Sequence, residues 1–154
     1  MQREFPSAPL IAIGAVIVKD NHVLLVRRGA APLKGHWTLP GGVLELGESL
    51  LEGVVREVRE ETGLIVEPVE LIELVDRIHR EQGSEQDRVQ YHYVIADYLC
   101  RVTGGEARAA SDAEDVRWVQ RAEWNSPPRR TLKLDPLTVM VIEKGWQRAQ
   151  ALFQ

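Results

Sequence analysis

The sequence contains a single cysteine, Cys100, so the chain cannot form an internal disulfide bond. It also has no excess of positive charge, because 23 aspartates and glutamates outnumber 19 lysines and arginines. Proteins that bind nucleic acid polymers are usually basic, so a polymer of this kind is not an expected partner. A chain without disulfides is typical of a reducing compartment, and we expect a cytoplasmic location.

The apolar runs of the sequence are short. The run from Leu10 to Val18 has about half of the roughly 20 residues that a membrane-spanning helix needs. Glu4 and Pro6 precede it, where a signal peptide would carry positive charge. We therefore interpret this run as a buried strand and expect no contact with a membrane. The 154 residues contain no repeat or low-complexity linker, which predicts one domain over residues 1–154.

One segment carries most of the chemical information. At fixed spacings it contains the residues Gly42, Glu48, Arg56, Glu57, Val58, Glu60, Glu61, Gly63 and Leu64. A chance match to seven fixed residue types and two aliphatic positions has odds on the order of one in a billion per start position.

Local rules predict a helix within this segment. Ser49 and Glu52 form a capping box, which satisfies free N–H groups at a helix start. Gly63 stands where a helix ends in a left-handed residue. At about 100° per residue, one face of the helix is an apolar stripe that is expected to face the core, made of Leu50, Leu51, Val54, Val55 and Val58.

Three carboxylates lie beside this stripe, at Glu57, Glu60 and Glu61. Gly53 lies one turn before Glu57 and is expected to leave room for a ligand. Like charges this close repel each other, and a divalent cation would offset the repulsion more than the neighbouring arginines do. Oxygen ligands favour magnesium, with manganese as the alternative. A solvated helix of mixed charge is the competing interpretation, but the glycine turn and the full register favour a metal site.

This segment resembles the Nudix box at all of its defining positions, and Trp37–Gly42 and Glu45–Ser49 resemble the usual lead-in to that box. The box covers about a seventh of the chain. The resemblance implies an α+β fold of the Nudix type. In that α/β/α sandwich, a mixed β-sheet is flanked by the box helix and a C-terminal helix.

The resemblance also implies a catalytic magnesium site. Glu57, Glu60 and Glu61 are the implied catalytic residues and metal ligands, and the Gly41 carbonyl is implied to complete the coordination. Glu57 orienting or deprotonating the attacking water is the alternative that stays open for that residue.

Four further positions are expected to support this site. Glu48 and Arg56 are expected to hold the loop and the helix together by an ion pair. Gly42 and Gly63 are expected to shape the turn before the helix and the end of the helix.

The catalytic base in such enzymes is often a glutamate from a distant loop. We favour Glu114 because it lies just before the predicted strand Val116–Val119, where such loops approach the site in the Nudix fold. The other candidates are Glu81, Glu85 and Glu106. Metal binding requires ionised carboxylates, so activity is expected to rise towards mildly alkaline pH.

Flat bases and sugars pack well on aromatic faces. Trp37 is the favoured aromatic residue because it lies beside the loop before Gly41. Arg27 and Arg28 are the expected phosphate contacts. The other available aromatic residues are Phe5, Tyr91, Tyr93, Trp118 and Trp124.

Around the box, runs of apolar residues predict strands. Ile11–Val18 and His22–Arg27 are predicted to form a hairpin. The remaining predicted strands are Trp37–Leu39, Val43–Leu44, runs within Leu64–Ile78 that are broken near Pro68, Val89–Val102 and Val116–Val119. His79–Asp87 is predicted to be an exposed loop, and Asp135 is predicted to cap a final helix that extends towards Leu152.

Three functions are compatible with this pattern. We favour magnesium-dependent hydrolysis of a nucleoside diphosphate linked to another group, with ADP-ribose or a similar nucleotide sugar as the substrate. A pyrophosphatase that removes nucleoside triphosphates, including oxidised ones, is the alternative. A ligand-sensing domain without turnover is the third hypothesis. The resemblance to ADP-ribose pyrophosphatases is also compatible with a homodimer.

Overall fold

The computed structural model describes residues 2–83, 88–126 and 132–153. Within these residues the chain forms seven strands and three helices. The strands are β1 (Leu10–Lys19), β2 (His22–Arg28), β3 (Trp37–Thr38), β4 (Gly41–Val43), β5 (Ile65–Arg80), β6 (Val89–Gly104) and β7 (Ala113–Gln120). The helices are α1 (Leu50–Thr62), α2 (Arg121–Asn125) and α3 (Pro136–Leu152).

Strand β1 lies at the centre of a mixed sheet. It pairs in parallel with β6 and antiparallel with β2 and β4. Strand β5 extends the sheet antiparallel to β6, while β3 and β7 both pair antiparallel with β2. Gly14 is the register partner of Gly41 on one side and of Asp97 on the other. Gly41, Gly14 and Asp97 therefore lie side by side across the sheet, and Gly41 and Asp97 stand at the two ends of this row.

Alternate residues of β1 face two separate cores. Val16 packs on one side of the sheet with Val141 and Ile142 of α3. Ile13 packs on the other side with Val54 and Val58 of α1. A sheet with an apolar layer on each face must be covered on both sides. The predicted sandwich of a mixed sheet between α1 and α3 is therefore confirmed.

Helix α1 begins and ends at the capping residues that the sequence predicts, and α3 begins at the capping residue predicted for it. Ser49 Oγ accepts the Glu52 N–H, and the Glu52 side chain accepts the Ser49 N–H. Gly63 adopts a φ of 75° and its N–H donates to the carbonyl of Arg59, which ends α1. Asp135 caps α3 by accepting the N–H groups of its first turn.

Two sequence predictions about the elements were wrong, and one element was missed. Strand β5 continues through Pro68 with a shift in register, because it lies at the edge of the sheet, where a missing N–H is tolerated. His79 and Arg80 belong to β5 and not to an exposed loop, since they pair with Tyr91 and Val89. Helix α2 was not predicted.

Candidate active site

A pocket of about 400 Å³ opens on the α3 side of the sheet. Its floor includes Ala12 and Gly14 of β1, together with residues of β5 and β6. The loop 29–33 and the first turns of α3 form its walls, and α1 contributes Glu57 and Glu61. A concave cavity of this size, partly apolar and with a few charged groups, is typical of a small-molecule site.

Glu57 lies directly above Gly42. A Cβ atom at position 42 would be 2.5 Å from the Glu57 carboxylate, so a larger residue at this position would displace the carboxylate. Burial raises the pKa of Glu57, and the neighbouring Arg56 partly opposes this shift. The room for a ligand-binding group is therefore made by Gly42. Gly53, which was expected to provide it, instead lets α1 pack closely against Leu44 and Ile13.

Glu61 is the most deeply buried carboxylate of α1, with 8% of the residue exposed. The backbone N–H of Gly41 donates a hydrogen bond to its Oε1 across 3.2 Å. Burial raises the pKa of Glu61 to about 8, and the negative charge of Glu57 adds to the shift. Two neighbouring carboxylates that resist ionisation together would be stabilised by a bound cation.

Arg56 of α1 forms an ion pair with Glu48 of the turn before the helix. Its Nη2 donates to Glu48 Oε1 at 2.9 Å, and its Nε donates to the other oxygen of the same carboxylate. A third donor, Nη1, lies 2.8 Å from Glu57 Oε1 and 3.2 Å from Glu60 Oε2. The hydrogen bond to Arg56 lowers the pKa of Glu48. This bidentate ion pair fixes the direction of the turn that carries Gly42.

The donor set suits a hard cation that retains water. Among the described residues, no three side chains of the histidine, cysteine, aspartate or glutamate type already converge into a metal cage. Glu57 and Glu61 nevertheless share one buried end of the pocket, and the side chain of Glu60 is half exposed and turned to Arg56. Magnesium usually binds a few carboxylates and takes its remaining ligands from water and substrate phosphates. The residues present therefore fit such an ion.

Comparison with known proteins agrees with this geometry. The NUDIX domain profile matches residues 8–138. An ADP-ribose pyrophosphatase of Methanocaldococcus jannaschii is 36% identical over 110 residues, which cover 71% of this chain and 61% of that protein. The chain belongs to the Nudix hydrolase family. Proteins of this family generally use divalent metal ions, which fits the carboxylates described above.

Two further Nudix relatives show how far the similarity extends. The mouse 8-oxo-dGDP phosphatase NUDT18 is 29% identical over 123 residues, which cover 77% of this chain and 34% of that protein. The crystal structure of a MutT NUDIX hydrolase from Burkholderia pseudomallei superposes with a TM-score of 0.73 at 30% identity. The superposition covers 90% of this chain and 98% of that one. The chain thus spans less than two thirds of both curated relatives but nearly all of the solved Nudix structure.

The candidates for the catalytic base of this Nudix site differ in position. Glu114 lies within β7 and not in the loop before it, and its half-exposed side chain pairs with Arg27 at 3.3 Å. Asp112, for which the sequence predicts no role, lines the pocket and raises the pKa of Glu61 by its charge. A bend in the chain before β7 brings Asp112 to the site, since Ala110 N–H donates to the Glu61 carbonyl.

The other base candidates lie elsewhere or are not described. Glu81 pairs with Arg88 at the end of β5, and Glu106 is exposed beside the end of α1. Neither is among the described residues that line the pocket. Glu85 lies outside the residues that the structure describes.

Of the expected substrate contacts, the structure brings Arg27 and Arg28 to the pocket. Burial lowers the pKa of Arg28, and its Nε donates to the Pro32 carbonyl at 2.6 Å, which ties it to the wall loop. Trp37 is 7% exposed and packs in the α3-side core, so the structure does not support its expected role as a stacking platform. Arg3, which was not predicted, also lines the pocket.

A second buried acid lies on the pocket floor. Asp97 of β6 is 5% exposed, and burial raises its pKa to about 7. Arg77 opposes this shift and Glu73 adds to it. No pattern in the sequence points to Asp97, because it stands in an apolar strand without a motif around it.

In the part of the chain that the structure describes, every helix is too short or too polar to span a bilayer.

Proposed function

We propose that this Nudix protein is a magnesium-dependent hydrolase that cleaves the phosphoanhydride bond of a nucleoside diphosphate linked to another group. ADP-ribose or a similar nucleotide sugar is the favoured substrate. The observation that carries this proposal is the pair Glu57 and Glu61, buried against Gly41 and Gly42 at one end of a 400 Å³ pocket.

The charges around the pair suit a diphosphate. Arg27, Arg28 and Arg3 line the same pocket and supply positive charge for phosphate oxygens. Arg28 also acts electrostatically on Glu61, so the arginines and the carboxylates share one site. A diphosphate would lie between the arginines on one side and a cation held by the glutamates on the other. Its negative charge would then be neutralised from both sides.

When bound, a magnesium ion would supply charge neutralisation for the phosphates and make a bound water more acidic. Glu57 and Glu61 would hold this ion. Water attacks one phosphorus atom and forms a new P–O bond while the bridging P–O bond breaks, and the departing phosphate carries away the bridging oxygen. We assign Asp112 the role of accepting the proton of the attacking water, because it lines the pocket and acts on Glu61.

A nucleotide-sanitising phosphatase is the second candidate function. It is favoured by the similarity to a protein named for 8-oxo-dGDP hydrolysis. The two functions use the same carboxylates and differ in what the remainder of the pocket selects. A ligand-sensing domain without turnover is the least favoured, because the box carboxylates are all present and two of them line the pocket.

A substrate panel with defined products tests these proposals. The panel contains ADP-ribose, two other nucleotide sugars, 8-oxo-dGDP and 8-oxo-dGTP, each with magnesium or with a chelator. We expect ADP-ribose to give AMP and ribose 5-phosphate in equal amounts with magnesium only. Release of inorganic phosphate from 8-oxo-dGDP, or of pyrophosphate from 8-oxo-dGTP, at a higher kcat/KM would favour the second candidate. Turnover of none of these compounds would overturn the proposed enzyme function.

A further inference from the structure

The pocket contains a carboxylate that the proposed hydrolysis does not use. Asp97 is the register partner of Gly14, which is itself the partner of Gly41, so it lies two strands from the glutamate end. With strands about 4.8 Å apart, this places its backbone roughly 10 Å from that of Gly41. The charges that act on Asp97 are those of Arg77 and Glu73, which separates it from the cation site.

The chain leaves this carboxylate without a hydrogen-bond donor. Among the described residues, neither a side chain nor a backbone N–H donates a hydrogen bond to the carboxylate of Asp97, which lines the pocket. The nearby guanidinium of Arg77 is engaged elsewhere, with Asp135 Oδ2 at 3.1 Å and Thr138 Oγ1 at 3.3 Å. A carboxylate that lines a pocket and accepts no hydrogen bond from the chain can accept hydrogen bonds from a bound ligand.

Gly14 makes room for the carboxylate. A Cβ atom at position 14 would lie 2.1 Å from Asp97 Oδ1, which is far too close for two non-bonded atoms. The glycine therefore allows Asp97 to extend over β1 inside the pocket. Gly14 and Asp97 are distant in sequence, and the position of the carboxylate in the pocket depends on both of them.

The surroundings of Asp97 suit a flat ring. The lining that β5, β6 and α3 contribute includes the apolar residues Val75, Ile95, Leu137 and Val141, and Arg77 and Thr138 line the pocket with them. Apolar walls with one acceptor at the edge match a heterocyclic base that carries N–H groups, whereas a ribose would present hydroxyl groups on several sides.

We propose that this end of the pocket binds the nucleobase of the substrate and that Asp97 accepts hydrogen bonds from the N–H groups on one edge of the base. The inference deepens the proposed function and rests on it for the identity of the ligand as a nucleotide. Asp97 thereby becomes a specificity-determining residue, because a base without N–H donors leaves the buried carboxylate unpaired.

Pairs of nucleotides that differ only in N–H groups test this inference. ADP-ribose is compared with its N6,N6-dimethyl analogue, and a GDP-sugar with its N1-methyl analogue. For the pair that carries the preferred base, wild-type kcat/KM is expected to be at least about tenfold higher for the parent compound. In Asp97→Leu this ratio should fall to within about threefold of one. The matched variant Asp76→Leu, at an exposed acid of β5, should keep the wild-type ratio.

A binding measurement makes the test independent of catalysis. Calorimetry without divalent cations gives the Kd of AMP or GMP and of the corresponding methylated nucleotide. Gly14→Ala is the second variant, because its methyl group displaces the Asp97 carboxylate without removing it. The ratio of the Kd of the methylated nucleotide to that of the unmethylated one should fall towards one in both variants. Thermal denaturation shows whether each variant is folded. If Asp97→Leu does not fold, Gly14→Ala and the wild-type ratios decide.

The outcomes separate the two proposals. The role of Asp97 would be overturned if the ratio between parent and methylated nucleotide were the same in the wild type and in a folded variant. It would also be overturned if this ratio were near one in the wild type for both bases. Absence of turnover together with a Kd ratio that depends on Asp97 would overturn the hydrolase function and leave the base site standing.

Discussion

Gly41 and Glu61 are twenty residues apart in the sequence, and a hydrogen bond of 3.2 Å joins them. It connects the short strand β4 to the last turn of α1. The bond holds one buried carboxylate at the end of the pocket, next to Glu57. The carboxylate pair is thus positioned by the contact between a strand and a helix, and not by the helix alone.

Replacement of Glu61 by glutamine should abolish most turnover. Glutamine retains an oxygen that can accept the Gly41 N–H, but it loses the negative charge that a cation requires. We expect kcat/KM for the best substrate to fall by about a hundredfold or more with magnesium. The same loss is expected for Glu57→Gln, and steady-state kinetics measure both.

The control for these variants is Glu67→Gln, at an exposed position of β5. It should keep wild-type kinetics. Near wild-type turnover of Glu61→Gln would show that the assigned carboxylate does not hold the cation.

The stability of the metal-free protein should fall as the pH rises. The pKa of Glu61 is raised to about 8 in the folded state, so between the ordinary value near 4.5 and 8 the folded protein binds a proton that the unfolded chain has lost. Asp97, with a pKa of about 7, contributes in the same direction. We expect the Tm in chelator to decrease by roughly 3–8 °C between pH 6 and 8.5.

Two comparisons test whether Glu61 causes this dependence of Tm on pH. Glu61→Gln should have a flatter dependence of Tm on pH than Glu67→Gln. Magnesium should raise the wild-type Tm more at pH 8.5 than at pH 6, because at the lower pH it must displace a proton. A slope that is the same in both variants would assign the effect to other groups.

A methyl group at position 42 should disrupt the cation site without unfolding the protein. The Cβ of Gly42→Ala would lie 2.5 Å from the Glu57 carboxylate, which must then move. We expect the rise in Tm on addition of magnesium to be reduced at least by half, with kcat/KM lowered about tenfold to a hundredfold. Differential scanning fluorimetry and steady-state kinetics provide the two readouts.

Gly104→Ala is the matched control, because a Cβ there meets only ordinary contacts with Ile65, the nearest at 3.5 Å. This variant should respond to magnesium as the wild type does. An unchanged response in Gly42→Ala as well would indicate that Glu57 tolerates displacement and is not a ligand.

The assignment of the base predicts a difference between two acids of one segment. Asp112→Asn should lower kcat by about 10²–10⁴-fold with little effect on KM, because the lost group acts on the attacking water. Glu114→Gln should lower kcat by less than about fivefold, since Glu114 pairs with Arg27 beside the pocket. A pH profile of kcat for each variant shows whether the acidic limb changes. A larger loss of kcat in Glu114→Gln than in Asp112→Asn would make Glu114 the base.

The local features of this site could be predicted from the sequence. The capping box of Ser49, the left-handed Gly63 and the ion pair of Glu48 with Arg56 depend on residues at most a few turns apart. The capping box and the left-handed glycine follow from local helix rules, whereas the ion pair was expected from the resemblance to the Nudix box. The apolar stripe was predicted less well, because Leu51 is half exposed while Val54 is fully buried.

The far side of the pocket could not be predicted, because it depends on the register between strands. Asp97 reaches the pocket only because β6 pairs in parallel with β1 and Gly14 makes room for its carboxylate. Asp112 reaches it through a bend of the chain against the end of α1. Trp37 shows the opposite error, since an aromatic residue beside the box lies in the core.

Binding of manganese tests most directly whether the pair Glu57 and Glu61 holds the cation. Free manganese is measured by its electron paramagnetic resonance signal in titrations of the wild type and of a Glu57→Gln, Glu61→Gln double variant at pH 8.5. We predict that the wild type removes manganese from solution, that magnesium releases it, and that the folded double variant binds it at least about tenfold more weakly. Equal manganese binding by the wild type and the double variant would contradict the account.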